Sequence, residues 1–329
     1  MTDQTANSRR DGFALHRMAE RIGIHNISLL VALIALLVIF GVLRGDVFFS
    51  ARNLLNIGMG VAILGVLAIS QTGVIVSGGL DISVGSIVGL TTVATAMAIQ
   101  STGLAGAGIV AGLVVGALAG LVNGLLVTYG RINAVIVTLG TMAIFRGIAF
   151  ILSDGQSISI FSDAFRWIGT GRILGLPVPL WILMAVAAGF YVFMHKSIVG
   201  RNYYAIGGNP VVARLSGLNI PRYRVAIYIV SGVMAGIGGV LLAARTGSGQ
   251  PISGSDGLEL EAITAAFLGG CAMQGGRGTV IGALLGVAII GVLNNGMILT
   301  AVPTFYQMLA KGTLLILAVF LAEYRLNKT

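Results

Sequence analysis

Ser77-Gly78-Gly79-Leu80-Asp81-Ile82-Ser83-Val84-Gly85-Ser86 places one carboxylate among glycines and small hydroxyl side chains, between two long apolar runs. Hydrocarbon cannot satisfy the N–H and C=O groups of irregular backbone. Such a segment exists at membrane depth only where protein or a water-filled cavity covers it. An ionisable residue there marks a candidate functional site. The stretch therefore points to a polytopic membrane protein in which Asp81 either caps a helix starting near Ile82 or lines a translocation path.

Composition agrees. The 329 residues are 56% hydrophobic and only 9% charged, against about 25% charged in an ordinary soluble domain. Mean hydropathy is +0.97. Glycine is frequent, at 49 residues, while proline is scarce, at 6; in lipid this balance signals closely packed helices. The net charge of +9 does not indicate nucleic acid, because the basic residues fall in loops and follow the positive-inside rule. Cys271 is the one cysteine, so no internal disulfide framework exists. The polar N-terminal segment, 1–26, precedes an apolar run without a small-residue cleavage site, read as an uncleaved first span.

Hydropathy gives an all-α chain with about ten spans, near 27–43, 54–76, 84–100, 104–128, 133–152, 178–194, 225–245, 260–273, 280–299 and 305–322. These make one transmembrane domain, 27–322, with a loop at 195–224 and a tail at 323–329. One set of loops and ends holds 13 basic residues: Arg9, Arg10, Arg17, Arg21, Arg131, Lys196, Arg201, Arg214, Arg222, Arg224, Arg277, Arg325 and Lys328. The opposite set holds 5: Arg44, Arg52, Arg166, Arg172 and Arg245. The bias puts both termini in the cytoplasm.

Small motifs recur in order. Thr72-Gly73, Gly79-Leu80-Asp81, Asn123-Gly124 and Arg146-Gly147 return as Thr246-Gly247, Gly257-Leu258-Glu259, Asn295-Gly296 and Lys311-Gly312, at offsets of 174, 178, 172 and 165. An inverted repeat of spans two to five and seven to ten accounts for this, and matching Gly-interrupted segments in two halves point to a substrate pathway. Dipeptide matches in a glycine-rich chain also arise by chance.

In the loop 195–224, Asn209-Pro210 is a helix start: Asn caps the free N–H groups and Pro is preset for the first helical position. Gly217 is the matching stop. A helix of about two turns is too short to persist alone in water and needs a docking surface.

Here the chain resembles a known family. Ser77–Ser86, Gly200-Arg201-x-x-Tyr204-Ala205-Ile206-Gly207-Gly208-Asn209, and Ala213-Arg214-Leu215-Ser216-Gly217 are similar to elements of the permease subunits of bacterial ABC importers for ribose, galactose, arabinose and xylose. So are Gly120–Gly124, Leu258–Ile263, Leu268–Gly270, Gly275–Gly278, Leu293–Gly296, Tyr306-Gln307-Met308 and Lys311-Gly312. The resemblance covers nearly the whole chain. It implies an inner-membrane permease that moves a monosaccharide by alternating access, paired with a second permease subunit. It also implies a separate ABC ATPase that holds ATP and Mg, and a periplasmic sugar-binding protein. The family's ATPase-coupling helix corresponds to Gly200, Arg201, Gly207, Gly208, Asn209, Ala213, Arg214, Ser216 and Gly217. Pro210 stands where the family often has an acidic residue, so a salt bridge to the ATPase from that position is not expected.

For the path or for contact with the binding protein, the candidates are Asp81, Ser83, Asn123, Gln250, Glu259, Glu261, Asn294 and Asn295. Each has a plainer reading. Asp81 suits a helix N-terminus as well as a pathway. Glu259 and Glu261, near Asp256 and Gln250, read as a solvated loop at the external face or as a receiving surface for a sugar-loaded partner. The asparagines suit hydrogen bonds between helices. Arg146 and Lys311 pair with carboxylates or snorkel to an interface. Within this chain no Gly-x4-Gly-Lys-Ser/Thr loop binds ATP, the three histidines His16, His25 and His195 form no metal cluster, and nothing supports catalysis. The competing functions are a stand-alone, ion-coupled secondary transporter and an ABC permease for branched-chain amino acids or a furanone-type signal.

Overall fold

The computed structural model describes residues 24–254 and 257–326. The basic segment with Arg9, Arg10, Arg17 and Arg21, together with Asp256 and Lys328, lies outside the described residues.

Apolar runs with capping residues between them give helices throughout. They are α1 Ile24–Phe48, α2 Ala51–Val76, α3 Val84–Thr102, α4 Ala105–Thr128, α5 Ala134–Leu152, α6 Asp163–Thr170, α7 Val178–Tyr191, α8 Ile198–Gly208, α9 Pro210–Leu215, α10 Ile220–Thr246, α11 Leu258–Leu268, α12 Val280–Leu299 and α13 Thr304–Leu326. A π-helical turn, Val192–Lys196, extends α7. Two-residue strands are the only sheet among the described residues: β1 Ile158–Ser159 pairs antiparallel with β4 Ser248–Gly249, and β2 Arg172–Ile173 pairs with β3 Leu176–Pro177.

Among the described residues, eight helices are long and apolar enough to cross a membrane: α1, α2, α3, α4, α5, α7 with its π turn, α10 and α12. The sequence reading of ten spans needs two more. In α13 the apolar part is shorter, Thr304–Phe320. The eighth expected span is not a full helix: α11 has 11 residues. The two-residue strand β4 and a run of turns, 251–254, come before it. From β4, Gly249 lies against Ala96 and Thr92 of α3, Gly89 faces the carbonyls of Pro251 and Ser253, and Gly85 faces Gly254. The chain from Gly249 to Gly254 thus runs along α3 from Ala96 to Gly85, and Thr92 holds it by hydrogen bonds to the Gln250 N–H and C=O, 3.1 and 3.0 Å.

The core is an α4–α10 pair packed on α3. Gly112, Gly116, Gly120 and Gly124 of α4 repeat every four residues and lie against Tyr228, Gly232 and Gly236 of α10. A Cβ at Gly120 would land on the Tyr228 carbonyl, and one at Gly232 on the Gly116 carbonyl. Small residues at this spacing let two backbones meet in lipid, where dispersion rather than water release drives association.

Candidate functional site

The first candidate region is the loop between α7 and α10. Ser197 caps α8 by accepting from the Gly200 N–H at 2.9 Å. Gly200 is buried under the Met194 and Phe193 carbonyls, while Arg201 is exposed. Asn209 caps α9: its Oδ1 accepts from Val211 and Val212 N–H groups at 3.0 and 3.1 Å. At the other end Gly217 takes φ +83°, donating to the Arg214 carbonyl at 3.0 Å, while Leu218 donates back to Ala213 at 3.1 Å. This is the left-handed helix stop that glycine adopts without strain. The Ser216 hydroxyl donates to the Val212 carbonyl, 3.0 Å.

Packing gives α9 a direction. Ala213 is buried with Ile206 and Ile220. Val211, Val212 and Leu215 stand 67%, 56% and 83% exposed, and Arg214 is exposed beside them. An apolar patch of this kind outside the spans marks an interaction surface.

Behind α9 lies a glycine joint that sequence reasoning did not single out as a unit. Gly207 sits against the Val76 carbonyl and the Gly276 N–H, and Gly276 donates to Val76 at 2.8 Å. Gly208 is exposed yet has Gly276 against its backbone. The end of α2, the end of α8 and the loop after α11 therefore meet backbone to backbone. Tyr204 donates to the Gly278 carbonyl at 2.8 Å. Burial pushes its phenol up to about 12, so it remains a donor at any physiological pH.

The second region is polar and lies among the spans. Asp81 is fully buried. Its Oδ1 accepts from the Ser83 N–H at 3.1 Å and the Ser83 hydroxyl at 2.6 Å, and its Oδ2 accepts from Ser231 of α10 at 2.8 Å. Asn123 of α4 donates to the Ser83 hydroxyl at 2.7 Å. Gln71 of α2 donates to the Asp81 carbonyl at 2.9 Å, and Tyr228 to Leu80 at 3.1 Å. Asp81 thus turns the chain into α3 and ties four helices together. Of the eight path candidates, the structure brings Asp81, Ser83 and Asn123 together; Ser231, 150 residues away, had no signal in the sequence.

The solvated-loop reading of Glu259 and Glu261 does not hold. Glu259 is 7% exposed and packs on Gly85. Glu261 forms an ion pair with Lys311 of α13 at 2.6 Å and accepts from Asn294 of α12 at 3.1 Å. Hydropathy places the charges near an external face, but the strand and turns of 249–254 run along α3 to Gly85, where Glu259 packs. Asn295 instead faces α2, exchanging amide hydrogen bonds with Asn53 at 2.8 and 2.9 Å. The Gln250 side chain donates to Ser248 at 3.0 Å, near β4. The eight residues therefore fall into separate groups rather than one pocket.

Comparisons with known proteins follow this geometry. A family model described as "Branched-chain amino acid transport system / permease component" matches residues 53–319. The ribose import permease protein RbsC of Escherichia coli K12 is 36% identical, covering 97% of this chain and 98% of its own. That of Bacillus subtilis is 40% identical, over 88% and 90%. The L-arabinose ABC transporter permease protein AraH of Azospirillum brasilense is 39% identical, over 89% and 86%. No solved structure gives a significant match. A match over most of the chain and relatives aligned along nearly their whole length lead to one statement: the chain belongs to this family of multi-pass transport-system permease components.

Proposed function

We propose that this chain is the membrane-spanning subunit of an ATP-driven importer that moves a monosaccharide, a pentose or hexose, from periplasm to cytoplasm. The relatives' names, ribose and arabinose import, favour a sugar over the branched-chain amino acid of the family description. In this reading the face with 13 basic residues is cytoplasmic, and both termini lie there. ATP and Mg sit in a separate ATPase subunit, a periplasmic binding protein delivers the sugar, and a second permease subunit completes the path.

The observation that carries the proposal is α9. It is a capped helix too short to stand alone, fixed to the body by Ala213 and presenting Val211, Val212 and Leu215 outward. It fits an apolar groove on the ATPase. Closure of the ATPase would push α9, and the glycine joint at Gly207, Val76 and Gly276 would pass that displacement to α2 and α11 together. Rigid packing at the joint leaves no slack to absorb the movement.

The test is co-purification in mild detergent of the tagged chain and its Leu215→Asp variant from the native host. The wild type should bring down an ABC ATPase, and the variant, still inserted, should lose at least nine-tenths of it. Equal recovery, or no ATPase with either, refutes the assignment.

A further inference from the structure

The α4–α10 pair closes on α3 from one side. Asn123 of α4 donates into the Asp81–Ser83 turn and Ser231 of α10 donates to Asp81, which marks that side. Leu121 and Ile229 each stand two residues before them, about 200° around their helices, and so face away from α3. Leu125 and Ala226 continue the two rows toward the end of α4 and the start of α10. They are exposed, and Leu121 and Ile229 are half-buried. The two backbones meet at Gly120 and Tyr228 and again at Gly124 and Val225, so the rows flank a narrow apolar groove.

The groove ends at charge. Arg222 lies four residues before Ala226, in the same row, and is exposed. Arg131, also exposed, follows the last turn of α4. No side-chain hydrogen bond or ion pair engages either arginine among the described residues. Arg131 holds φ +55°, a left-handed conformation that costs an L residue energy and persists where the surroundings fix it. Asp81 does not answer these cations, because it is buried on the α3 side and held by Ser83 and Ser231. Glu323 of α13 takes a hydrogen bond from Gln274 instead, at 3.3 Å.

The positive-inside rule accounts for the sign of charge at this end of the molecule. It does not place a guanidinium at the mouth of an apolar groove. Tyr129, 64% exposed and two residues before Arg131, is a residue type that sits at headgroup level. The groove then lies at hydrocarbon depth and the arginines at phosphate depth. An apolar groove suits an acyl chain, and two unpaired cations at its end call for an anion. Basic sites between spans bind anionic lipid head groups.

We propose that the groove between α4 and α10 binds an anionic phospholipid, with one acyl chain against Leu121, Leu125, Ala226 and Ile229 and the phosphate on Arg131 and Arg222. The site does not depend on which substrate is moved.

The test is native mass spectrometry of the purified full-length chain, stripped of lipid in mild detergent and titrated with dioleoylphosphatidylglycerol, dioleoylphosphatidylcholine or inorganic phosphate. The wild type should hold one phosphatidylglycerol at least about ten-fold more tightly than phosphatidylcholine, and millimolar inorganic phosphate should not displace it. Arg131→Gln combined with Arg222→Gln should remove that preference. Arg131→Gly relieves the left-handed backbone. It should weaken phosphatidylglycerol binding about five-fold while the lipid-free melting temperature stays at or above the wild-type value, which separates loss of the site from loss of the fold. Ala226→Trp, with both arginines in place, should block binding by filling the groove. An undiminished preference in the double variant, or undiminished binding in Ala226→Trp, overturns the site. Displacement by inorganic phosphate would make it a free-anion site. A double variant that keeps phosphatidylglycerol but loses a co-purified ATPase would assign the arginines to that partner. Either result overturns the lipid.

Discussion

Asp81 shows what a buried carboxylate does when no cation answers it. Its three hydrogen bonds come from Ser83 and Ser231, and Asn123 completes the set through the Ser83 hydroxyl. Removing the acceptor strands several buried donors, each costing about 1–3 kcal/mol. Asp81→Ala should therefore sharply lower the melting temperature in detergent, whereas Asp154→Asn, on an exposed turn, should leave it unchanged; equal tolerance would reduce the Asp81 segment to a linker. The carboxylate and its place before a helix were readable from the sequence, because an N-terminal turn is local. Ser231 was not, because nothing in a single chain reports which distant hydroxyl will face it. The same holds for Glu261 and Lys311, both visible but unpaired until α11 and α13 pack. Breaking that pair from one side leaves a charge among apolar helices. With Lys311 33% exposed, Lys311→Met should cost about 2–3 kcal/mol, below the range for a fully buried pair. Adding Glu261→Gln should recover most of that loss, and a double variant no more stable than the single one would show that the pair carries nothing.

Among the elements, α9 was the most legible. Asn-Pro at the start and Gly217 at the end are short-range signals, and the helix forms between them at Pro210–Leu215. The crossing that ends in α11 was the least legible. Hydropathy scores a window as if it were one helix, and this segment combines a short strand and turns along α3 with three turns of helix. Its depth is set by Gly85 and Gly89, which leave room for the Gly254, Pro251 and Ser253 carbonyls. The glycine content pointed to close packing, but only the fold assigns it to the α4–α10 face. There Gly120→Val would force a branched side chain into the Tyr228 backbone. Overpacking of this kind costs about 1–3 kcal/mol or more, so Gly120→Val should be poorly expressed and heat-labile, while Gly106→Val, with open space around it, should behave as wild type. Matching behaviour of the two would mean that the helices separate freely.

At the scale of the whole molecule, charge bias and span parity point to the same topology, but only the charge bias is a sum over many residues that survives local error; parity turns on every single span. The count of ten holds only if the broken segment before α11 and the shorter apolar part of α13 both cross. The topology predicts that a cysteine at position 164 reacts with an impermeant thiol reagent from outside intact spheroplasts, and one at position 205 only after lysis. Both positions are exposed, and native Cys271 is buried. Reversed labelling would invert the assignment of faces. The central claim is that this permease works by ATP hydrolysis in a partner and not by an ion gradient. The decisive measurement is sugar uptake into proteoliposomes holding the chain with its co-purified ATPase and binding protein, driven in turn by internal ATP and by proton or sodium gradients. The account predicts uptake with ATP alone, abolished by Leu215→Asp on α9. Uptake by the chain alone under an ion gradient, indifferent to ATP, would contradict it.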